Sequence, residues 1–555
     1  MNLTPEEREI GKENFHAAIG DKLTRREFLE GSIAAGVVSG AGLGAFYFGY
    51  ARSLGDPVRV GIIGTGDEGG VLIGALSPEY VQVVAIADIR PYNIHRAFHG
   101  DDSSASALAA RSGLMAKYGW KGEDEARQHV KVYDRDYREL LKDPDVEAVI
   151  IALPLHLHAA VAIEALRAGK HVLTEKLMAH SVHECKEMAR VAKQTDLLLA
   201  TGHQRHYSIL YDNAVDTIRR GLLGELHYIR AQWHRGNLPG NDSWAQPLPA
   251  QLREKLPALV KERNQAKGKR LDELNKQIQQ VEKQLLDESV DAAAHGYQEK
   301  TLSNGRETYV CSPLEELIRW RLWDRTGGGL MAELGSHQLD AAGIFISAMR
   351  EKGEKALPLT VAAVGGRHLF PLDRDVDDHV YCMYEFPAPA YHENPDKKIV
   401  VTYASINGNG FGGYGETVMG TEGTLILERE QEAMLFKGSA TTTNIKVVKA
   451  KGAASPTLDT TDSGGGPAAA VGKAALGGPV SRGYTEEIEH WAWCIRNRAP
   501  ENVPRCHPKV ALGDAVIALV TNIAIKDPKS IVFKPEWFDI ESDETPEGVA
   551  PSVKA

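Results

Sequence analysis

From Pro57 onward, short apolar runs alternate with segments of helical length. "VRVGIIG" at 58–64 and "VQVVAIAD" at 81–88 are followed by "VEAVIIALP" at 146–154, the amphipathic "HAAVAIEALRAGK" at 158–170 and "HVLTE" at 171–175. Buried strands separated by helices predict a parallel, doubly wound sheet over 56–200. After "TGHQRHYSILYDNAVDTIRRGLLGE" the rhythm changes. "LHYIRAQWHR", "LTVAAVGGRHL", "DHVYCMYEF", "KIVVTYASI" and "ETVMGTEGTLILE" are rich in β-branched and aromatic residues, with no regular helix between the later ones. They predict a large, open, mostly antiparallel sheet in an α+β domain over 201–535. Two segments interrupt it. Residues 248–312 are highly charged, and Leu271, Leu274, Ile278, Val281 and Leu285 fall at 3-4-3-4 spacing, so a helical hairpin packed on its own domain is expected. Residues 438–480 end in "SGGGPAAAVGKAALGGPV" and read as a flexible loop. "YTEEIEHWAWCIRN" and "HPKVALGDAVIALVTNIAI" read as two helices closing the fold, leaving 536–555 as a tail.

Composition adds little to this picture. With 555 residues, 43% of them hydrophobic, the chain can bury more than one core. A formal charge of −11 offers no basic footprint for nucleic acid. Cys185, Cys311, Cys382, Cys494 and Cys506 are widely spread with no ligand-spaced pair, and read as buried free thiols. The N-terminus is more informative. Arg25 and Arg26, in "TRREFL", precede an uncharged stretch from Gly31 to Ala51 that Arg52 closes. Six glycines make that stretch only weakly apolar. The pattern resembles a twin-arginine (Tat) signal, which implies passage through the Tat translocon to the periplasm or cell envelope. At about 20 residues the stretch is also long enough to stay as a membrane anchor, so residues 1–55 read as signal or anchor.

The chemistry concentrates at three places. Gly64-Thr65-Gly66-Asp67-Glu68-Gly69 satisfies GxGxxG directly after a predicted strand, and a second strand ends at Asp88. That context predicts a dinucleotide turn: backbone close to the pyrophosphate, and Asp88 on the adenosine ribose. Asp88 favours NAD, while Arg90 offers a guanidinium to the 2′-phosphate of NADP. The carboxylates of Asp67 and Glu68 are expected to point outward, away from an anionic ligand. Glu175 and Lys176 follow a strand at the sheet edge where ligands of such folds collect. In "TGGGLMAELGSHQLD", Glu333, His337 and Asp340 stand at i, i+4 and i+7. Carboxylates flanking a histidine can tune and orient it; a helix-face salt-bridge cluster or a metal site shares the spacing.

"VGIIGTG", "AGKHVLTEK", "GLLGELHYI", "GGGLMAELGSHQLD" and "GTEGTLIL", in this order, resemble the Gfo/Idh/MocA oxidoreductases, over roughly 57–430 and the C-terminal helices. The resemblance implies a Rossmann domain joined to an open-faced α/β domain, with NAD or NADP between them and a sugar, cyclitol or polyol as substrate. It also implies a homodimer or homotetramer. The family's E-K-P motif maps onto Glu175, Lys176 and Leu177, and its D-x-x-x-H motif onto Glu333 and His337. By that analogy His337 takes the hydroxyl proton and Lys176 holds the substrate oxygen. Arg205, Trp323 and Asp340 are expected near the substrate, and Leu153 and His158 beside the cofactor. Leu177 for proline and Glu333 for aspartate depart from the pattern. Export of a loaded enzyme implies a cofactor that is held tightly and recycled in place. A redox-neutral glycoside cleavage, elimination or epimerisation through a keto intermediate, or a non-catalytic sugar-binding module, are the alternatives.

Overall fold

A computed structural model describes residues 3–23, 42–51, 54–350, 354–449, 455–461, 467–475, 481–527 and 529–555. The first sheet contains β1 (Val58–Ile63), β2 (Val81–Ala87), β3 (Lys131–Tyr133), β4 (Ala148–Ile151), β5 (His171–Glu175) and β6 (Leu199–Gly202). All neighbours are parallel, in the order β3-β2-β1-β4-β5-β6. β4 is buried at every residue and β1 at all but Arg59, as expected of strands covered by helices on both faces. The order reverses beside β1, so the crevice beyond the carboxyl ends of β1 and β4 is where such a sheet receives a ligand.

The second sheet begins with β7 (Leu226–His234). A small hairpin, β8 (Lys300–Ser303) and β9 (Thr308–Cys311), lies apart from it. β10 (Thr360–Gly366), β11 (His379–Pro387), β12 (Lys398–Ile406), β13 (Tyr414–Gly420), β14 (Gly423–Glu428) and β15 (Glu432–Lys437) follow. With β18 (Ile531–Val532) they give the order β15-β14-β13-β7-β12-β11-β10-β18. Only β7 and β12 pair in parallel. Alternating burial along β12 sets one face of this sheet against the helices Ser336–Ser347 and Pro508–Lys526. Pro508–Lys526 is long and apolar enough to cross a bilayer, yet it is a buried core helix.

Four expectations change. The helices Pro249–Arg263 and Lys269–Leu285 form the expected hairpin, but the second packs on the Rossmann helix Pro91–His99 rather than on its own domain. Within 438–480, β16 (Asn444–Val448) pairs with β17 (Thr457–Thr461), and Pro467–Ala475 is a helix, so this is not simply a loop. Residues 536–555 are no loose tail either. They cover the helix Val182–Thr195, whose Lys186 and Arg190 donate to carbonyls of Glu536, Ser542, Glu544 and Ile540 at 2.6–3.0 Å.

The N-terminus also folds into the body. The helix Pro5–Leu23 buries Phe15 and Ile19, and its Arg8 pairs with Glu428 and Glu432 at 2.6 and 2.8 Å. Arg25 and Arg26 lie outside the described residues. The second half of the weakly apolar stretch does not: the helix Gly42–Phe48 and Tyr50 pack on the core, and the Tyr50 hydroxyl donates to Glu489 at 2.7 Å. A bilayer-spanning Gly31–Ala51 requires that packing to be given up. All five cysteines are buried free thiols.

Candidate active site

The glycine turn forms for local reasons. Gly64 has φ +88°, and a Cβ there would lie 2.4 Å from the Ala152 carbonyl oxygen. A Cβ on Gly69 would meet the Gly64 oxygen at 2.3 Å. On Gly66 it would meet nothing nearer than 3.5 Å, so open space lies above the turn at the start of the helix Asp67–Ala75. This is the arrangement a pyrophosphate needs: a tight turn, a bare backbone and free helix N–H groups. Asp88 accepts from the Thr65 amide at 2.8 Å, the Arg90 amide at 2.9 Å and Asn93 Nδ2 at 3.1 Å, and still lines the cleft. Thr65 itself is buried and turned onto Asp88. A dinucleotide therefore fits these residues, with Gly64, Gly66, Asp88 and Leu153 along its path.

Asp67 and Glu68 face the cleft rather than outward. Asp67 is matched by Arg96 at 2.7 Å and Gln246 at 3.1 Å. Burial opposes its charge, but Arg96, Arg321 and Arg111 outweigh it and hold the carboxyl well below the usual range. Burial raises Glu68, whose Oε1 is enclosed without a partner.

The cleft runs between the two domains, with a volume of about 980 Å³. At its other end stand Glu175, Lys176, Glu333 and His337. β5 delivers the first two at its carboxyl end, and the Lys176–Leu177 peptide is cis. Lys176 Nζ donates to the carbonyls of Glu333 (2.7 Å) and Ala332 (3.3 Å) and lies 4.0 Å from the Glu333 carboxylate. A π-helical turn, Met331–Gly335, carries Glu333, and the helix Ser336–Ser347 carries His337. Burial favours a neutral Glu333, but Arg321 at 3.2 Å, Lys176 and Arg235 prevail and keep it ionised. His337 is 8% exposed. Burial, then Lys176 and Arg205, hold its imidazole well below the usual value, so it is neutral and able to accept a proton. Glu175 is pushed up to about 8 by burial and by Glu68.

Several expected contacts lie elsewhere. Arg205 is 1% exposed and faces away from the cleft, donating to Glu430 (2.7 Å), Glu416 (3.1 Å) and the His337 carbonyl (2.6 Å). Asp340 is sealed under the floor with His206 (2.9 Å) and Lys355 (3.1 Å). Trp323 is fully buried, and its neighbours Trp320 and Arg321 line the cleft instead. His158 is enclosed, its ring nitrogens 2.8 and 2.9 Å from the carbonyl oxygens of Leu177 and Leu153, so it ties the two loops together behind the cleft. Gly69 packs the turn rather than lining the cleft, and Arg90 is paired with Asp287. The cleft also draws on Trp233, Arg235, Trp244, Tyr297, Arg482 and Tyr484, which no motif marked. The dense Arg and Trp content of "IRWRLWD", which was not read as a site, is the signal by which Trp320 and Arg321 could have been found.

Residues 58–203 match a sequence profile described as "Oxidoreductase family, NAD-binding Rossmann fold". An uncharacterised oxidoreductase of Rhizobium meliloti is 34% identical over 185 residues, 33% of this chain and 47% of that protein. A glycosyl hydrolase family 109 protein of Solibacter usitatus is 27% identical over 39% of this chain and 46% of its own. The chain thus spans less than half the length of these relatives. Among solved structures, an oxidoreductase domain protein from Kribbella flavida aligns over 86% of this chain and 99% of its own, with 14% identity and a TM-score of 0.51. That likeness concerns the fold alone. The match to the Gfo/Idh/MocA family profile thus falls on residues 58–203, the part of the chain that carries the glycine turn, Asp88 and the Glu175–Lys176 edge.

Proposed function

We propose that this protein is an exported NAD(P)-dependent oxidoreductase acting on a hydroxyl of a sugar, cyclitol or related polyol, with a dinucleotide that stays bound and is recycled in place. The observation that carries the reading is the convergence of Lys176, Glu333 and His337 at one end of a cleft whose other end is the Gly64–Gly66 turn and Asp88. A bound NAD or NADP supplies the hydride acceptor and donor. Neutral His337 receives the proton of the substrate hydroxyl. Lys176 is placed by two carbonyls on one side and offers a remaining N–H to the substrate oxygen, where negative charge develops. Glu333, held ionised between Arg321 and Lys176, fixes the lysine's direction. The twin-arginine pair supports export by the Tat route, which carries folded proteins, and export without a nucleotide pool supports retention.

The test is to purify the protein without added nucleotide, denature it and identify released dinucleotide by mass spectrometry. Near-stoichiometric NAD(H) or NADP(H) is expected, and its 340 nm absorbance should respond to one member of a sugar panel. Lys176→Ala and His337→Ala should each lower that turnover by about 10²–10⁴-fold. A protein that neither contains nor binds a dinucleotide refutes the reading in favour of a sugar-binding module. Unchanged function in both variants would do the same.

A second reading has its own support. Glu175, at about 8, carries a proton at neutral pH inside the cleft, as an acid that protonates a leaving oxygen must. Glycosyl hydrolase family 109 proteins are among the relatives. Redox-neutral cleavage predicts release of nitrophenol from a nitrophenyl glycoside with no net change in bound NADH.

A further inference from the structure

The helical insert reaches the nucleotide end of the cleft from nearly two hundred residues away in sequence. Gln280 accepts from the Asp102 amide at 2.7 Å and donates to Asp101 at 2.9 Å, fixing Lys269–Leu285 along the Rossmann helix Pro91–His99. Just beyond, the Asp287 side chain is wholly enclosed at 0% exposure. It accepts from Arg90 Nε at 2.9 Å, lies 2.9 Å from Arg90 Nη2, and accepts from the Tyr92 amide at 3.1 Å. Ala294, His295 and Tyr297 of the same insert line the cleft beside Asp88 and Arg90.

Arg90 occupies the place, two residues past the strand-end acid, where a guanidinium can take a 2′-phosphate. Its value for phosphate lies in a planar fork of N–H donors. Here Nε of that fork is committed to Asp287, and Nη2 lies beside the same carboxylate oxygen at 2.9 Å. Turning it toward a ligand would leave the enclosed Asp287 carboxylate with the Tyr92 amide but without its cation, which is unfavourable. Asp88, by contrast, is held by two backbone amides and Asn93 with its carboxylate at the cleft wall. A fixed carboxylate there accepts from a ribose diol and repels a phosphate.

We propose that Asp287 is a specificity-determining residue of the dinucleotide site: by engaging Arg90 it leaves Asp88 to select the 2′-hydroxyl, and makes this a site for NAD rather than NADP. The inference rests on the dinucleotide reading above. It does not follow from the Rossmann motif, because Asp287 comes from an insert outside that domain.

The test is direct binding of NAD and NADP to protein freed of nucleotide by charcoal treatment, followed by tryptophan fluorescence. Wild type should bind NAD at least about tenfold more tightly than NADP. In Asp287→Asn, Arg90 is released, and NADP binding should tighten by about tenfold, the worth of one charge-assisted hydrogen bond. NAD binding should move much less. The gain should be absent in Asp287→Asn/Arg90→Ala, which separates Arg90 from the other cations at this end. An NADP:NAD ratio that Asp287→Asn leaves unmoved overturns the role of Asp287 alone. Equal or tighter NADP binding by wild type overturns it without any variant, should Asp287→Asn fail to fold. Binding of neither nucleotide to wild type overturns the dinucleotide reading itself.

Discussion

Two clusters of charge meet at His337, one on the cleft side and one beneath the floor. Facing the cleft, Glu333 is shared by Arg321 at 3.2 Å and Lys176 at 4.0 Å, and Arg321 also reaches Asp67 at 4.0 Å. Beneath, Arg205 binds Glu430, Glu416 and the His337 carbonyl at 2.6–3.1 Å, and Asp340 is locked between His206 and Lys355, which also pairs with Asp514. Both clusters mix arginine, lysine and glutamate, so their composition does not tell them apart. Spacing and enclosure do. Arg205, Glu416, Glu430 and Asp340 in the lower set have short contacts and are sealed from solvent, so they hold backbone in position. The upper groups are loosely paired and partly exposed, so donors and acceptors remain for a ligand. Turnover should depend on the upper set and folding on the lower.

The strongest challenge to that division is Arg205→Ala. It leaves Glu416 and Glu430 facing each other without their shared cation, and breaking a buried pair in this way costs about 3–5 kcal/mol. Urea unfolding should register the loss. A midpoint equal to wild type would mean that the lower cluster is not structural. Arg321→Ala probes the upper set with a smaller effect on folding, about 1 kcal/mol or less, because its partners are partly solvated. Turnover should nevertheless fall about tenfold or more, since Glu333 loses the cation that most strongly holds it ionised. If stability and turnover fell together, the division would not hold.

Glu175 sharpens the boundary, because it is buried and yet lines the cleft. Its folded-state value of about 8 lies above its ordinary 4.5. Between those values the folded protein keeps a proton that the unfolded chain has lost. The stability is therefore complete below about pH 4.5 and is lost as pH rises through 8. Glu175→Gln removes this dependence, and the fall in Tm from pH 5 to pH 8 should become shallower. An unchanged slope would assign the titration to other buried carboxyls, such as Glu416 and Glu489, each raised to about 7.

Much of the Rossmann half was legible in the chain. Strand-length apolar runs, a glycine turn and an acid at the end of β2 are all local patterns, and β1, β2, β4 and β5 appear where those patterns stand, whereas the three-residue β3 was marked by none. Glu175–Lys176 and Glu333–His337 were equally visible, and both reach the cleft. Asp340 was grouped with them because i, i+4 and i+7 share a helical face. The π-helical turn at Met331–Gly335 disturbs that regularity between Glu333 and His337, and Asp340 stands a turn further along the helix. Asp340 therefore meets His206 and Lys355 under the floor. Trp323 and Arg205 failed as cleft residues for a similar reason: an aromatic or a guanidinium suits a ligand and a buried partner equally well.

Short stretches of backbone account for the features that could be read locally. Only glycine tolerates φ +88° at position 64 with a carbonyl 2.4 Å from where a Cβ would be, and period-two or helical burial follows from side-chain geometry within a few residues. The tertiary structure decided which charges are committed and which are available. Arg90 meets Asp287 across 197 residues, Arg205 meets Glu416 across 211, and Arg8 meets Glu428 across 420. A charged side chain takes its role from the dielectric around it and from the partner opposite it, and both are supplied by segments remote in the chain.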